Sequence, residues 1–424
     1  MVSTEFHQPN GLRAALDAAG GSMQDLTVLA PQNDQFRLDT PSRHRDGVWL
    51  ADRIAALKLV GPRHLRGLHY VMIGQPKPNG LPYNNTDEDW QWLGMSAKAA
   101  RWLGYLPFDR IIDQRNDEPE VRLWTPSWQP QTYVSLDYRI ALPDDDDLTP
   151  RAMVTGFTAD QPYHLVLVGE KSSLREVLGD VANEHGADLY LPTGEISDTQ
   201  AYQMARLAVR DGRPMVILYF SDCDPSGWQM PISLTRKLQA LQVIEFPEME
   251  FEVHRVALVP DQVREYGLPS TPLKATEKRA DRWTDAMGVE QTEIDALAAL
   301  QPDLLRDIAT EALKPFYDTT LDSRVAQAKR DWRERAQAAI DDQVGADLEL
   351  LRADALAALD AKAAEIQTIL DEVEVDADQF DLPEPVVPEA DLDPDREMPE
   401  PLCDSRWTFA EQCERLIASK NYEV

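Results

Sequence analysis

Apolar positions between residues 151 and 315 fall into short continuous runs, separated by stretches of helical spacing. The runs predict strands at 163–170, 187–192, 214–221 and 251–258, and the spacing predicts helices over 173–185, 200–210 and 229–241. Strands that alternate with helices over short connections favour a parallel sheet covered on both faces. We therefore predict an α/β domain over residues 151–315.

Two of the predicted strands end on carboxylates. Glu170 closes the run YHLVLVGE, and Asp222 and Asp224 follow the strand in VILYFSDCDPSG. Because the carboxyl ends of parallel strands lie at one edge of a sheet, these side chains should lie close together and repel each other. A bound Mg²⁺ ion is the usual way in which such repulsion is neutralised. Acidic residues after a strand also serve as helix N-caps and turn formers, and this alternative stays open. Glu293 and Asp295 are predicted to lie on a helix surface.

The amino-terminal part of the chain has a different pattern. Residues 46–106 show helical spacing in three pieces, and extended segments follow at VRLWTP and TYVSLDYRIAL. Three helices followed by a hairpin is the order of a winged helix, predicted here over 46–142. The preceding residues, 1–45, are expected to form a flexible extension, and PDDDDLTP (143–150) an acidic linker.

The carboxyl-terminal part is predicted to extend away from the domains. Residues 316–372 are rich in Ala, Leu, Glu, Arg and Asp and predict a helical arm, either solvated or used for dimerisation. Residues 373–424 are expected to be an acidic, disordered tail that closes with a short helix in RWTFAEQCERLIASK.

Composition limits the classes of protein to which this 424-residue chain can belong. No stretch of about 18 apolar residues occurs, so no membrane span is expected. No secretory signal is apparent. The scattered cysteines Cys223, Cys403 and Cys413 lack metal-ligand spacing and favour a reducing, cytoplasmic location.

The net charge of −32 argues against a protein that handles DNA, but its distribution weakens this objection. Residues 371–404 alone contribute −13, whereas residues 41–70 carry +4. A locally basic amino-terminal module on an acidic chain is compatible with DNA binding that depends on ionic strength.

The strand-end carboxylates resemble those of a known family. A Glu at one strand end and Asp-x-Asp-x-x-Gly at another is similar to the Toprim domain of topoisomerases, primases and some nucleases. A winged helix followed by a Toprim domain resembles the A subunit of topoisomerase VI and the meiotic double-strand-break proteins. In RHLRGLHY, Arg66 matches the family's motif arginine and Tyr70 its nucleophile. The likeness covers about residues 60–315.

This resemblance implies a reaction and a set of site residues. Mg²⁺ would be held by Glu170, Asp222 and Asp224, and Tyr70 would form a 5′-phosphotyrosyl link to DNA. Glu170 could instead serve as general acid or base at the leaving 3′ oxygen, and Arg66 would face the same phosphate. The DNA backbone would be contacted by Arg63, Lys98 and Arg101.

The resemblance also implies partners. The family works on double-stranded DNA as a homodimer in which tyrosine and metal come from different subunits. Nothing in this chain resembles a GHKL-type ATPase, so an ATPase B subunit would be a separate protein or absent.

Two other functions stay open at this stage. The chain could be a Toprim nuclease that hydrolyses DNA and uses Tyr70 only structurally, since a Tyr on an apolar helix is often half-buried in a core. Alternatively, it could be a non-enzymatic DNA-binding or assembly factor with an acidic tail that recruits a partner.

Overall fold

The computed structural model describes residues 11–20, 25–30, 32–112, 119–122, 125, 127–136, 150–274, 276–371, 379–393 and 398–422. The chain is mixed α/β and divides into two compact units. The first unit comprises Met1–Trp124, Tyr163–Phe316 and Asp395–Val424, and the second comprises Thr125–Pro162 and Tyr317–Pro394. None of the described helices is long and apolar enough to cross a membrane.

The α-helices, numbered along the chain, have the following bounds: α1 Gly11–Ala19, α2 Pro41–Ala56, α3 Leu65–Met72, α4 Asp87–Trp102, α5 Arg175–Glu184, α6 Asp198–Asp211, α7 Pro225–Ile244, α8 Pro260–Glu265, α9 Ala280–Met287, α10 Ile294–Leu300, α11 Pro302–Leu313, α12 Leu321–Asp371 and α13 Phe409–Lys420. The strands are β1 Arg63–His64, β2 Ile111–Ile112, β3 Gln131–Leu136, β4 Pro150–Thr155, β5 His164–Gly169, β6 Asp188–Tyr190, β7 Met215–Phe220, β8 Phe251–Ala257 and β9 Cys403–Asp404. Short 3₁₀ helices occupy Gln35–Arg37, Phe108–Arg110, Ser172–Leu174 and Lys314–Phe316.

A five-stranded sheet organises the first unit, in the order β6-β5-β7-β8-β9. The four strands β6, β5, β7 and β8 are parallel, and β9 is antiparallel to β8. Every residue of β5 and β7 is buried, as their continuous Val, Ile and Leu runs require in a sheet covered on both faces. The predicted α/β class and parallel sheet are confirmed.

The three predicted amino-terminal helices are α2, α3 and α4. Thr40 and Thr86 cap α2 and α4 through their side-chain oxygens. The three helices share a core that includes Trp49, Leu68 and Leu93.

The predicted hairpin of a winged helix is not found among the described residues that follow these helices. VRLWTP contains no strand at its described residues, and β3 pairs antiparallel with β4, a strand of the predicted Toprim region. Both strands belong to the second unit, so the predicted boundaries 46–142 and 151–315 need correction. The predicted linker lies outside the described residues except for Pro150, which begins β4.

The second unit is built on β3, β4 and the first part of α12. Val134, Val154 and Phe157 pack with Trp332 and Ile340 of α12 in one apolar cluster. The Trp332 indole donates to the Pro383 carbonyl oxygen at 2.7 Å. The predicted helical arm is therefore one long helix, and its beginning has a packed face rather than a solvated one.

Both chain ends are more ordered than predicted. Leu12, Leu16, Cys413 and Leu416 are buried, and β9 extends the sheet. These results correct the predictions of a flexible extension over 1–45 and a disordered tail over 373–424 wherever these segments are described. Two described acids of the carboxyl-terminal segment form ion pairs, Asp404 with Arg406 at 2.9 Å and Glu400 with Arg415 at 2.5 Å.

Candidate active site

Glu170 and Asp222 meet at the carboxyl edge of the sheet. Gly169 at the end of β5 pairs in register with Phe220 at the end of β7, which brings the next residues together. The Asp222 amide donates to Glu170 Oε2 at 2.9 Å, and Glu170 is 9% and Asp222 7% exposed. The predicted juxtaposition of these two carboxylates is present.

Asp224 has a different local role. It caps α7, since its Oδ1 accepts from the Ser226 and Gly227 amides at 2.8 and 2.7 Å. A Cβ at Gly227 would overlap the Asp222 carbonyl oxygen, so the tight turn requires glycine there. The helix-cap alternative therefore describes Asp224 correctly, although its charge still acts on Glu170.

Lys171 is the cation of this site, and sequence reasoning missed it. Its ammonium lies 3.1 Å from Asp222 Oδ2, 3.1 Å from Glu293 Oε2 and 3.2 Å from Asp295 Oδ2. The Ile294 amide donates to Asp222 Oδ1 at 2.8 Å, which holds the start of α10 against the loop after β7. The sequence feature that could have identified it is its position directly after Glu170.

The acids of the site carry more negative charge than Lys171 balances. Burial raises the pKa of Glu170 to about 7, and the charges of Asp222 and Asp224 add to this effect. Burial also raises the pKa of Asp222. Burial acts to lower the pKa of Lys171, but Asp222, Glu293 and Asp295 outweigh it and the pKa is raised. The site therefore favours an additional proton or cation.

Mg²⁺ fits this donor set by chemistry, because all the candidate ligands are carboxylate oxygens. The described residues contain no group of three or more His, Cys, Asp or Glu side chains already gathered for a metal. Lys171 contacts Asp222, and Asp224 Oδ1 is engaged by amides. The ion would be held by Glu170, Asp222 and Asp224. Among the described residues, Oδ2 of Asp224 forms no hydrogen bond to the backbone amides that engage Oδ1.

Tyr70 lies in a pocket of about 710 Å³ in the first unit, together with Arg66, Trp90 and Arg101. It is 55% exposed, so the nucleophile and the half-buried structural residue both stay predictions. The neighbouring His69 is buried and fixed, with Nδ1 2.7 Å from the Tyr83 hydroxyl and Nε2 2.9 Å from Asn85 Oδ1. The residues lining this pocket do not include Glu170, Asp222 or Asp224.

The predicted DNA contacts divide into two groups. Arg63 and Arg66 are exposed. Lys98 donates to the carbonyl oxygens of Gln32 and Asn33, both at 3.3 Å, and its contact with phosphate stays a prediction. Arg101 donates to Thr199 Oγ1 at 3.0 Å and forms part of the Tyr70 pocket wall rather than a free surface cation.

Comparisons with known proteins add little to this picture. The sequence matches no protein-family model. It is similar to Protein kinase C-binding protein NELL1 of Rattus norvegicus and of Mus musculus, in each case 33% identical over 67 residues. The match covers 16% of this chain and 8% of each relative, so it identifies no family for the chain.

Proposed function

We propose that this chain cleaves duplex DNA at a Toprim-like acidic site, as an A-subunit-like protein of the type IIB topoisomerases. The observation that supports it most is the buried Glu170–Asp222 pair at adjacent parallel strand ends, beside the Asp224 cap. Open α/β sheets place their sites at this edge. The three amino-terminal helices would contribute the nucleophile Tyr70 and the phosphate-binding Arg66.

Glu170 is the proposed acid or base at the 3′ oxygen. In the metal-free site burial raises the pKa of Glu170 to about 7. As an alternative to holding Mg²⁺, Glu170 would therefore give a proton to that oxygen as the phosphodiester breaks. Asp222 keeps Glu170 in place through its amide. When bound, Mg²⁺ would stabilise the negative charge that develops on the phosphoryl group and the leaving oxygen.

Tyr70 is the proposed nucleophile. Its hydroxyl would lose its proton to water, and its oxygen would bond to phosphorus while the bond from phosphorus to the 3′ oxygen breaks and that oxygen takes up a proton. This leaves a 5′-phosphotyrosyl link that can be resealed. Arg66, one helical turn earlier and exposed in the same pocket, would orient the phosphate. Since Tyr70 and the acidic site have different lining residues, we propose a homodimer in which two chains combine them. A separate ATPase subunit is part of the same proposal.

One observation favours a hydrolytic nuclease as the second candidate. Within the part of the chain that the structure describes, the Tyr70 hydroxyl has no hydrogen-bond partner, and both ring nitrogens of His69 are already engaged. The ring nitrogens of His69 are therefore not available to take the proton of the Tyr70 hydroxyl. In this alternative, water replaces Tyr70 as the nucleophile.

Asp222→Asn is expected to lower the rate of metal-dependent DNA cleavage at least about tenfold, because it removes a charge from the acidic pair. Nicking and linearisation of supercoiled plasmid in Mg²⁺ or Mn²⁺ would measure this effect. Asp261→Asn is the matched control, since that side chain is 88% exposed. Equal cleavage by both variants and the wild type would exclude the acidic site.

Tyr70→Phe is expected to abolish the covalent adduct. Labelled DNA should migrate with the wild-type protein after a denaturant quench and run free with the variant. Tyr133→Phe, at another exposed tyrosine, is the control. Equal cleavage by Tyr70→Phe, with free 5′ ends, would establish the nuclease instead.

A further inference from the structure

A basic segment borders the acidic site. Residues 274–282, KATEKRADR, contain Lys274, Lys278, Arg279 and Arg282 against two acids, on a chain of net charge −32. No feature of the sequence analysis pointed to these residues. Their position is set by contacts at both ends of the segment.

Residues 270 and 271, just before the basic segment, are connected by hydrogen bonds to the loop that carries Asp222 and Asp224. The Thr271 amide donates to the Gln291 carbonyl oxygen at 2.8 Å, and the Cys223 amide donates to the Thr292 carbonyl oxygen at 2.9 Å. The Ser270 and Thr292 hydroxyls lie 2.7 Å apart. Residues 291–292 therefore connect the start of the segment to the residue between the two motif aspartates.

The carboxyl-terminal end is tied to the first turn of α7. Arg279 donates from Nη1 to the Pro225 carbonyl oxygen and to Gln229 Oε1, both at 2.9 Å, and from Nη2 to Ser226 Oγ at 3.2 Å. Glu277 accepts two further bonds from the same guanidinium, both at 2.8 Å. Arg279 is therefore a rigid anchor directly after Asp224.

Two lysines lie between these anchors. Lys274 and Lys278 are exposed, and neither forms an ion pair with a carboxylate among the described residues. Without a carboxylate partner among the described residues, these two ammonium groups leave positive charge on a segment that is connected to the Asp222–Asp224 loop. They offer point charges to a ligand that carries phosphates and must approach those carboxylates.

We propose that Lys274 and Lys278 bind the phosphate backbone of duplex DNA laid across the Asp222–Asp224 loop, with Arg279 as the positioning residue of the segment. The choice of DNA rests on the proposed function. The lysines offset the repulsion between backbone phosphates and the acidic site, and their contacts are independent of base sequence.

The test is equilibrium binding without cleavage. Lys274→Gln/Lys278→Gln is compared with the wild type by fluorescence anisotropy on a labelled duplex, in EDTA and over a series of KCl concentrations. We expect Kd to rise at least about tenfold at low salt, and the slope of log K against log salt to fall in magnitude by about 2, one unit for each phosphate contact. Thermal melting should be unchanged, because both side chains are exposed.

Arg206→Gln/Arg210→Gln is the charge-matched control, since both arginines are exposed on α6, away from the anchors described above. Unchanged binding by the lysine variant, an equal loss in both variants, or a wild type that does not bind duplex DNA would overturn the inference. A lysine-specific loss of binding by a protein that never cuts DNA would support the inference and contradict the proposed function.

Discussion

Removal of residues 398–424 is expected to unfold the first unit, because this segment completes a buried polar centre. Arg236 is fully buried and forms an ion pair with Asp34, with 3.0 Å between Nε and Oδ1. Its guanidinium also donates to the Leu26 carbonyl oxygen at 2.8 Å and contacts Cys413 Sγ at 3.2 Å. Without α13 this centre opens to water, and the edge of β8 loses β9.

The expected cost is about 5 kcal/mol, from the apolar burial of α13 and β9 together with the disturbed ion pair. The net stability of a domain is of similar size, about 5–15 kcal/mol. Urea or thermal unfolding of the full chain and the truncated chain would measure the loss. If the truncated protein melts at the wild-type temperature, the segment does not stabilise the first unit. The prediction of a disordered tail, made from composition, would then be right.

A point substitution tests the same centre without deletion. Asp34→Ala leaves Arg236 charged and buried without its partner, at an expected cost of about 3–5 kcal/mol. Asp17→Ala is the control, because Asp17 belongs to an exposed ion pair with Arg13, worth at most about 1 kcal/mol. If both substitutions lower the free energy of unfolding by the same small amount, the buried Arg236–Asp34 pair does not stabilise the first unit.

Glu170→Gln is expected to stabilise the metal-free protein above pH 7. The pKa of Glu170 rises from 4.5 to about 7 on folding, chiefly through burial. A carboxyl whose pKa is raised contributes stability that is fully present below pH 4.5 and is lost as the pH rises through 7. The shift corresponds to about 3 kcal/mol of stability, which the uncharged Gln does not lose.

Urea unfolding from pH 4 to 8 in EDTA would measure this effect as the difference between variant and wild type. Glu176→Gln, at an exposed position of α5, is the control and should follow the wild-type curve. Added Mg²⁺ should stabilise the wild type at pH 8 and the Glu170 variant less. A constant difference across the pH range would contradict the raised pKa.

The strand ends were predictable because local sequence determines them. Continuous β-branched runs indicate buried strands, and the register of Gly169 with Phe220 then brings Glu170 to Asp222. The role of Lys171 was not predictable in the same way. It lies directly after Glu170, but its partner Glu293 is 122 residues away.

The chain ends and the hairpin were predicted less well because their partners are also distant in sequence. Average composition indicated disorder near the carboxyl terminus, yet a few apolar residues such as Cys413 and Leu416 suffice to dock α13. Likewise, β3 resembled the wing of the preceding helices, but its partner β4 follows the predicted linker. Whether the three helices and the sheet act as winged-helix and Toprim domains stays a prediction.

The order in which the strands are synthesised has a consequence for biogenesis. Val253 of β8 pairs with Cys403 of β9, so this edge of the sheet stays unpaired until about 150 further residues have been translated. At ~5–20 residues per second this takes about 8–30 s. During that interval β8 is an open edge, able to pair with another nascent chain. The first unit therefore finishes folding after the second unit has been synthesised, and chaperone protection is most valuable in that interval.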